Sequence, residues 1–452
     1  LIANLATLDK PDFGLSPTLS GDAFAPIAGQ EQAGAMMLTE HDLQSSATLK
    51  TLVTLGPEAL PFLLEALDDQ TPTKIEIKHD SYIGAMWHDA ELPLNPVNPA
   101  ERSVADARAA KARHEPLSDQ NNAVKSYTVK VGDVCFVAIG QIVGRSYSAV
   151  RYQPTACIVL NCPSHDAALC AEVRAMWMSD DPTRKLFDSL LTDFATDGVF
   201  NGESLDGWGL GSALQCKAAL RLLYYFPDET AALIAARLDG LNVEGDAKLD
   251  DYLERCVANR VRADDFIKAV AWSQDEKVRA ALVGIFRRAG NVHDLLAATS
   301  GVDDNKLVAS RVEPMLASLP KDDRGPFGDG YELLALLAQR DPGGSRRAFD
   351  AYLHDANAGR KHTVCQVLRR IKTAWAVDVL LPMLDDQATL GWTYPIDPEQ
   401  NEPRAEIRVC DEAAVTLNYV DPDLNFTQAG SHADLDKQIA AIRATLAQKR
   451  GL

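Results

Sequence analysis

Apolar residues recur along this chain with the period of buried helix faces. Leu60, Leu63, Leu64 and Leu67 follow the i, i+3, i+4, i+7 rule, and Leu49, Leu52 and Val53 mark a helix just before them. Between the two, Gly56-Pro57 supplies a stop and a start. Glycine takes the left-handed backbone that ends a helix, and proline fits a first turn where its missing N–H costs nothing. The pattern returns with Leu214, Ala218, Leu222 and Tyr225, then, past Pro227-Asp228, with Leu233, Ile234, Leu238 and Leu241. Further helices are predicted near 250–260, 263–272, 275–289, 305–318, 329–340, 345–354, 360–372, 375–385, 409–420 and 433–449. Short helices joined by short turns predict a mainly α fold of stacked helical hairpins, an α-solenoid, rather than a βαβ alternation.

Two distant stretches say nearly the same thing. Leu63-Leu64-Glu65-Ala66-Leu67-Asp68-Asp69-Gln70 matches Leu380-Leu381-Pro382-Met383-Leu384-Asp385-Asp386-Gln387. Each is followed by a β-like insertion and then a helix with a related opening, Val129-Lys130-Val131-Gly132-Asp133 or Ile407-Arg408-Val409-Cys410-Asp411. In the first insertion, Lys74 to Lys78 and Ser126 to Val131 alternate as half-buried strands do, which predicts a ribbon. Residues 1–45 lack either period and read as an irregular arm laid against the first repeat; residues 46–452 read as the helical array, with insertions at 71–130, 145–164 and 388–406. A short helix is also expected from Ala105 to His114.

Asp275-Glu276-Lys277-Val278-Arg279-Ala280-Ala281-Leu282 resembles the second-helix signature of HEAT and phycobilisome-lyase-type HEAT-like repeats, with Val173-Arg174-Ala175 a looser version. Gly56-Pro57-Glu58-Ala59-Leu60-Pro61 resembles the start of the other helix of such a repeat. The chain with its long inserts is similar to HEAT-repeat proteins typical of planctomycete bacteria. That resemblance implies a fold and carries no reaction; Arg279 is expected to serve structure. Bilin-lyase subunits share such arrays, but nothing here points to a chromophore, and no cofactor is expected.

Function is sought in the insertions, because a long loop in a compact fold is usually functional or disordered. The first holds His79-Asp80 and Trp87-His88-Asp89 and a proline-rich run at 93–99; the second holds Tyr147, Arg151 and Tyr152; the last carries Trp392 and Tyr394. Arg and Tyr grip a carboxylate or an extended peptide well. His79, Asp80, Trp87, His88, Tyr147, Arg151 and Tyr152 are therefore the candidate partner-binding residues. Six of the nine histidines precede an aspartate, which raises a metal-dependent hydrolase as the rival reading, with a lyase and a self-associating envelope protein as others. At His41, His165 and His293 the pairs fall at helix starts, where polar groups cap free N–H donors. Asp421-Pro422-Asp423 begins like a calcium loop, but Phe426 stands where glycine is required and His432 where a bidentate glutamate is; a turn is expected. No catalytic metal site is assigned, and Asp133 and Asp411 are read as partners of neighbouring loops or helix starts.

Composition then narrows the partners. With 64 acidic against 45 basic residues the net charge is -19, which repels nucleic-acid phosphates and favours a basic or neutral protein or peptide. No stretch reaches the roughly 18 apolar residues of a membrane span. The chain starts at Leu1 rather than Met, as after removal of a leader or after trimming, so the compartment stays open with export slightly favoured. Cys135, Cys170, Cys216, Cys256, Cys365 and Cys410 sit in apolar helical patterns as core thiols; Cys157 and Cys162 are close enough to pair in an oxidising compartment.

Overall fold

The computed structural model describes residues 1–9, 24–27, 46–78, 87–89, 126–145, 147, 149–152, 158–160, 162–195, 214–243, 263–320, 328–397 and 403–450. The fold is mainly helical with little sheet. Its packing divides into two compact units, Leu1–Gly284 and Ile285–Leu452.

In the first unit, α1 (Ala47–Leu55) and α2 (Leu60–Glu65) lead through a 3-10 turn into strand β1 (Pro72–Lys78), then β2 (Trp87–Asp89) and β3 (Ser126–Lys130). Helix α3 (Val131–Val143), strands β4 (Val150–Tyr152) and β5 (Ile158–Leu160), and helices α4 (Ala167–Trp177), α5 (Pro182–Phe194), α6 (Leu214–Tyr225), α7 (Pro227–Asp239) and α8 (Ala263–Val270) follow. Helix α3 is buried on every face, with both α1 and α2 packed on it. Gly56 ends α1 with a φ of 59°, and a Cβ there would meet Cε1 of Tyr225 at 2.4 Å. Gly56→Ala therefore combines backbone strain with overpacking and is expected to cost about 2–4 kcal/mol in urea unfolding. A loss under about 0.5 kcal/mol would contradict this account.

Helix α9 (Glu276–Arg288) spans the division. Asp275, at the head of the HEAT-like signature, accepts from the N–H groups of Lys277 and Val278, while Val278 and Leu282 are fully buried. Arg279 Nη1 donates to Gln274 Oε1 at 2.8 Å.

The second unit holds α10 (Val292–Ala298), α11 (Asn305–Ser318), α12 (Asp329–Arg340), α13 (Arg346–Leu353), α14 (Ala358–Arg370) and α15 (Ala376–Leu380). Strands β6 (Thr389–Pro395) and β7 (Arg404–Arg408) and helices α16 (Val409–Val420) and α17 (His432–Arg450) complete it. Here α11 to α14 pack in succession, as do α15 to α17, and four pairs also pack next but one: α10 on α12, α11 on α13, α12 on α14, and α14 on α16.

The duplicated motif is reproduced bond for bond. Antiparallel hairpin β1–β3 pairs Pro72 with Lys130, and β6–β7 pairs Thr389 with Arg408, each with a register shift four residues along the first strand. Asp69 Oδ1 accepts from Thr71 N at 2.8 Å and Asp386 Oδ1 from Ala388 N at 2.9 Å. The carbonyls of Asp69 and Asp386 then take Gly132 N and Cys410 N at 3.1 and 2.9 Å. An arginine from the following helix pairs with the preceding acid in both copies, Arg174 with Asp68 at 2.7 Å and Arg443 with Asp385 at 2.6 Å.

Several expectations change in detail. Leu233, assigned to the apolar stripe of α7, is exposed at 43%, because Thr230, Ala231, Ile234 and Leu238 define the buried face. Asp421 and Asp423 flank a 3-10 turn and hold Lys449 Nζ at 2.7 and 3.3 Å. Residues 250–260, the helix expected at Ala105 to His114, Cys157 and Cys256 lie outside the described residues. Cys162 is buried and donates to the carbonyl of Ala149 at 3.0 Å. No described helix is long and apolar enough to cross a membrane.

Candidate functional site

The two insertions of the first unit meet in one small sheet. Strand β2, carrying Trp87 and His88, pairs in parallel with β5, and β5 pairs antiparallel with β4, which carries Arg151 and Tyr152. Ile158 is thereby flanked by Trp87 on one side and Tyr152 on the other, and Val159 by His88 and Arg151. Four predicted binding residues, some sixty positions apart, thus occupy two adjacent register rows. His79 and Asp80 lie outside the described residues.

Tyr147 has a different place. It is fully buried with a φ of 32°, stacks on Phe136 with ring centroids 4.6 Å apart, and accepts from Trp177 Nε1 at 2.8 Å. A phenol fixed on both its face and its oxygen holds its loop onto α3 and α4. Arg145, two residues earlier, is equally buried and ion-paired with Asp193.

At the start of α3, Asp133 accepts from Ser164 Oγ at 2.5 Å, Tyr127 Oη at 2.8 Å and Lys130 N at 2.8 Å. Among the described residues no cation pairs with it, and burial pushes its carboxyl above the ordinary value of 3.8 against the pull of those donors. In the second copy Asp411 keeps the backbone bond, from Arg408 N at 3.0 Å, and gains the Arg408 guanidinium at 2.7 Å. Asp411 in turn raises the guanidinium pKa of Arg408.

A buried carboxyl with a raised pKa leaves stability untouched below pH 3.8 and subtracts from it as pH rises toward the folded value, because the unfolded chain ionises first. Asp133→Asn is therefore expected to gain on wild type as pH climbs from about 4 to 7 in paired urea titrations. A constant difference across that range would show that Asp133 ionises as freely in the folded chain as in the unfolded one.

In the second unit, polar residues form a ladder between two helices. His362, Gln366 and Arg369 sit at i, i+4 and i+7 on α14 and face Glu412, Thr416 and Tyr419, spaced identically on α16. Glu412 Oε1 lies 3.0 Å from His362 Nδ1, out of line for a hydrogen bond, and Glu412 Oε2 is held by Arg369 Nη2. Arg369 Nε donates to Thr416 Oγ1 at 3.0 Å, and its guanidinium lies 5.8 Å from the Tyr419 ring. Burial pushes the Glu412 carboxyl up, but His362 and Arg369 more than offset this and hold it below its ordinary range. Trp392, from β6, packs edge-on against His362 at 4.7 Å while remaining 48% exposed, and Tyr419 is 59% exposed.

The matched i, i+4, i+7 polar stripes of the two helices are the signal that would have singled out this ladder; of its members the sequence reading named only Trp392. Of the remaining His-Asp pairs, His41-Asp42 lies outside the described residues and the others play local parts. Asp166 caps α4 through Ala168 N and Leu169 N, Asp294 accepts from Asn291 Nδ2 at 2.6 Å, and His354 and Asp355 pair on the surface. Among the described residues no three His, Cys, Asp or Glu side chains converge on a point a metal could occupy.

Set against models of protein families, curated proteins and solved structures, the chain matches none of them.

Proposed function

We propose that this chain is a noncatalytic HEAT-like α-solenoid that binds or scaffolds a protein or peptide through its curved face and its long insertions. The observation that carries the reading is a recurring arginine contact. Arg174 donates to the carbonyls of Leu64 and Glu65, Arg221 to Gln141, Arg311 to Ala289, Arg340 to Thr299, and Arg360 to Leu319 and Pro320. Each time an arginine reaches back to carbonyls at or near the C-terminal end of an earlier helix. Those carbonyls lack partners within their own helix and carry its negative dipole end, so a guanidinium satisfies both needs. A device used in both units, with next-but-one packing in the second, is the construction expected of stacked repeats that bury their apolar faces on one another.

Stacked hairpins present extended surface on a rigid frame, and the charge of -19 selects basic or neutral partners. The test places a photo-crosslinking amino acid at Trp392, Tyr419 and Phe62, all exposed, in cells of the native organism. Expected is one protein that crosslinks from at least one site and, once purified, binds the purified chain stoichiometrically. Purified components that fail to associate would overturn the reading.

A further inference from the structure

The two copies of the duplicated motif differ in what covers them, and that difference points to an occupant. In the first copy the chain covers itself. The 3-10 helix Ile2–Thr7 packs against α1, α3 and β1, Leu5 is fully buried, and Lys74 N of β1 donates to the carbonyl of Leu8 at 2.8 Å. A second anchor follows, where Ala25 N donates to Gln141 Oε1 on α3 at 2.9 Å. In the elements so covered, Leu49 and Leu52 of α1, Ile75 of β1, and Val134, Ala138 and Gln141 of α3 are buried.

Carried across the repeat register, these positions are the ladder. Pairing of Pro72 and Thr389 with the N-cap residues makes Gly391 the equivalent of Lys74 and Trp392 that of Ile75. The matched acids Asp133 and Asp411 make Glu412, Thr416 and Tyr419 the equivalents of Val134, Ala138 and Gln141, and the ungapped repeat makes Gln366 and Arg369 those of Leu49 and Leu52. Here no described residue outside the hairpin accepts from Gly391 N, and a Cβ at Gly391, whose φ is 79°, would meet nothing within 4 Å. Trp392 and Tyr419 stand out to solvent where their counterparts are buried.

We infer that the face formed by α14, α16 and β6 is the docking site for a short peptide segment of a partner protein, lying along β6 as Ile2–Leu8 lies along β1. This rests on the binding-protein reading above and names the place and the kind of ligand. The segment supplies a backbone carbonyl at Gly391, as Leu8 does at Lys74, and an apolar side chain against Trp392. A single main-chain bond at the strand edge fixes where the segment lies and leaves selectivity to the side chains alongside. Within the site Glu412 is already neutralised by Arg369, so the segment needs no compensating ion pair, and the overall charge disfavours an acidic one. Exposed Trp and Tyr beside a half-buried Arg is also the composition of interface anchors.

The test is a random nonapeptide display selection on the full-length protein, followed by calorimetry with the synthesised winners. Trp392→Ala and Tyr419→Ala are expected to weaken binding at least tenfold each, Phe62→Ala in the first unit to leave it unchanged, and amides of β6 to gain exchange protection on binding. Selected peptides that bind Trp392→Ala as tightly as wild type, or a selection that yields none, overturn the inference. A native partner that crosslinks only from Phe62 would leave the binding-protein reading standing and remove this one. All three substituted side chains are exposed, so circular dichroism is expected to show each variant folded.

Discussion

Asp193→Ala is expected to lower the stability of the first unit by about 3–5 kcal/mol, the largest effect of any single substitution considered. Arg145 and Asp193 are each only 1% exposed, and Asp193 meets the guanidinium with both carboxylate oxygens. Ser189 Oγ at 3.4 Å and the carbonyl of Val143 at 3.3 Å add neutral acceptors, and the guanidinium lies 5.8 Å from the Trp177 ring. Removing the carboxylate leaves a buried cation that no rotamer change can bring to water, and that stranded charge, rather than the intact pair's net worth, sets the size of the loss. Asp193→Leu combined with Arg145→Met should recover much of it, since apolar replacement of a whole buried pair is often neutral or better. Urea unfolding followed by circular dichroism reads both; a single variant within about 1 kcal/mol of wild type would mean the pair is solvated in solution.

Phe24→Ala is expected to cost about 3–5 kcal/mol, close behind. Phe24 is fully buried, with edge-to-face contacts to Tyr224 and Tyr225 at 5.1 and 5.8 Å and the Arg221 guanidinium 5.0 Å from its ring. Arg221 is itself buried, donating to the carbonyl of Gln141 at 2.5 Å, while the side chain of Gln141 receives Ala25 N. One aromatic ring therefore closes a circuit joining the N-terminal segment, α3 and α6. Its loss should appear in urea unfolding and as faster amide exchange at Ala25. Unchanged exchange there would place the anchoring in Ala25 and Ile27 instead.

The helical fold and the ribbons were legible because burial imposes a period. Leu60, Leu63, Leu64 and Leu67 repeat every turn since one face of α2 meets α3, and 305–318, 329–340 and 409–420 were bounded to the residue by Asp304, Gly328 and the β7 junction. The twin hairpins were readable from alternation, and the roles of Asp133 and Asp411 from their shared place in the repeat. What escaped was three-dimensional. Neither Tyr147 nor Arg145 differs locally from a ligand-gripping residue, and only the contacts with Phe136, Trp177 and Asp193 fix them as interior groups. The union of β2 with β5 joins two insertions by parallel pairing, which no local pattern encodes. The ladder was missed because His362 and Glu412 look like ordinary members of two separate amphipathic helices until α14 and α16 are laid side by side.

The paired aspartate turns at Asp69 and Asp386 have an architectural consequence. Both hold the root of a ribbon by main-chain bonds to the helix that follows, and neither bond involves the tip. One ribbon spans the long stretch from β1 to β3 and the other only a few residues between β6 and β7, yet the roots match. Such a root works as a socket: whatever is spliced beyond it leaves the helical frame undisturbed, so these two tips are the places where the chain can lengthen without refolding.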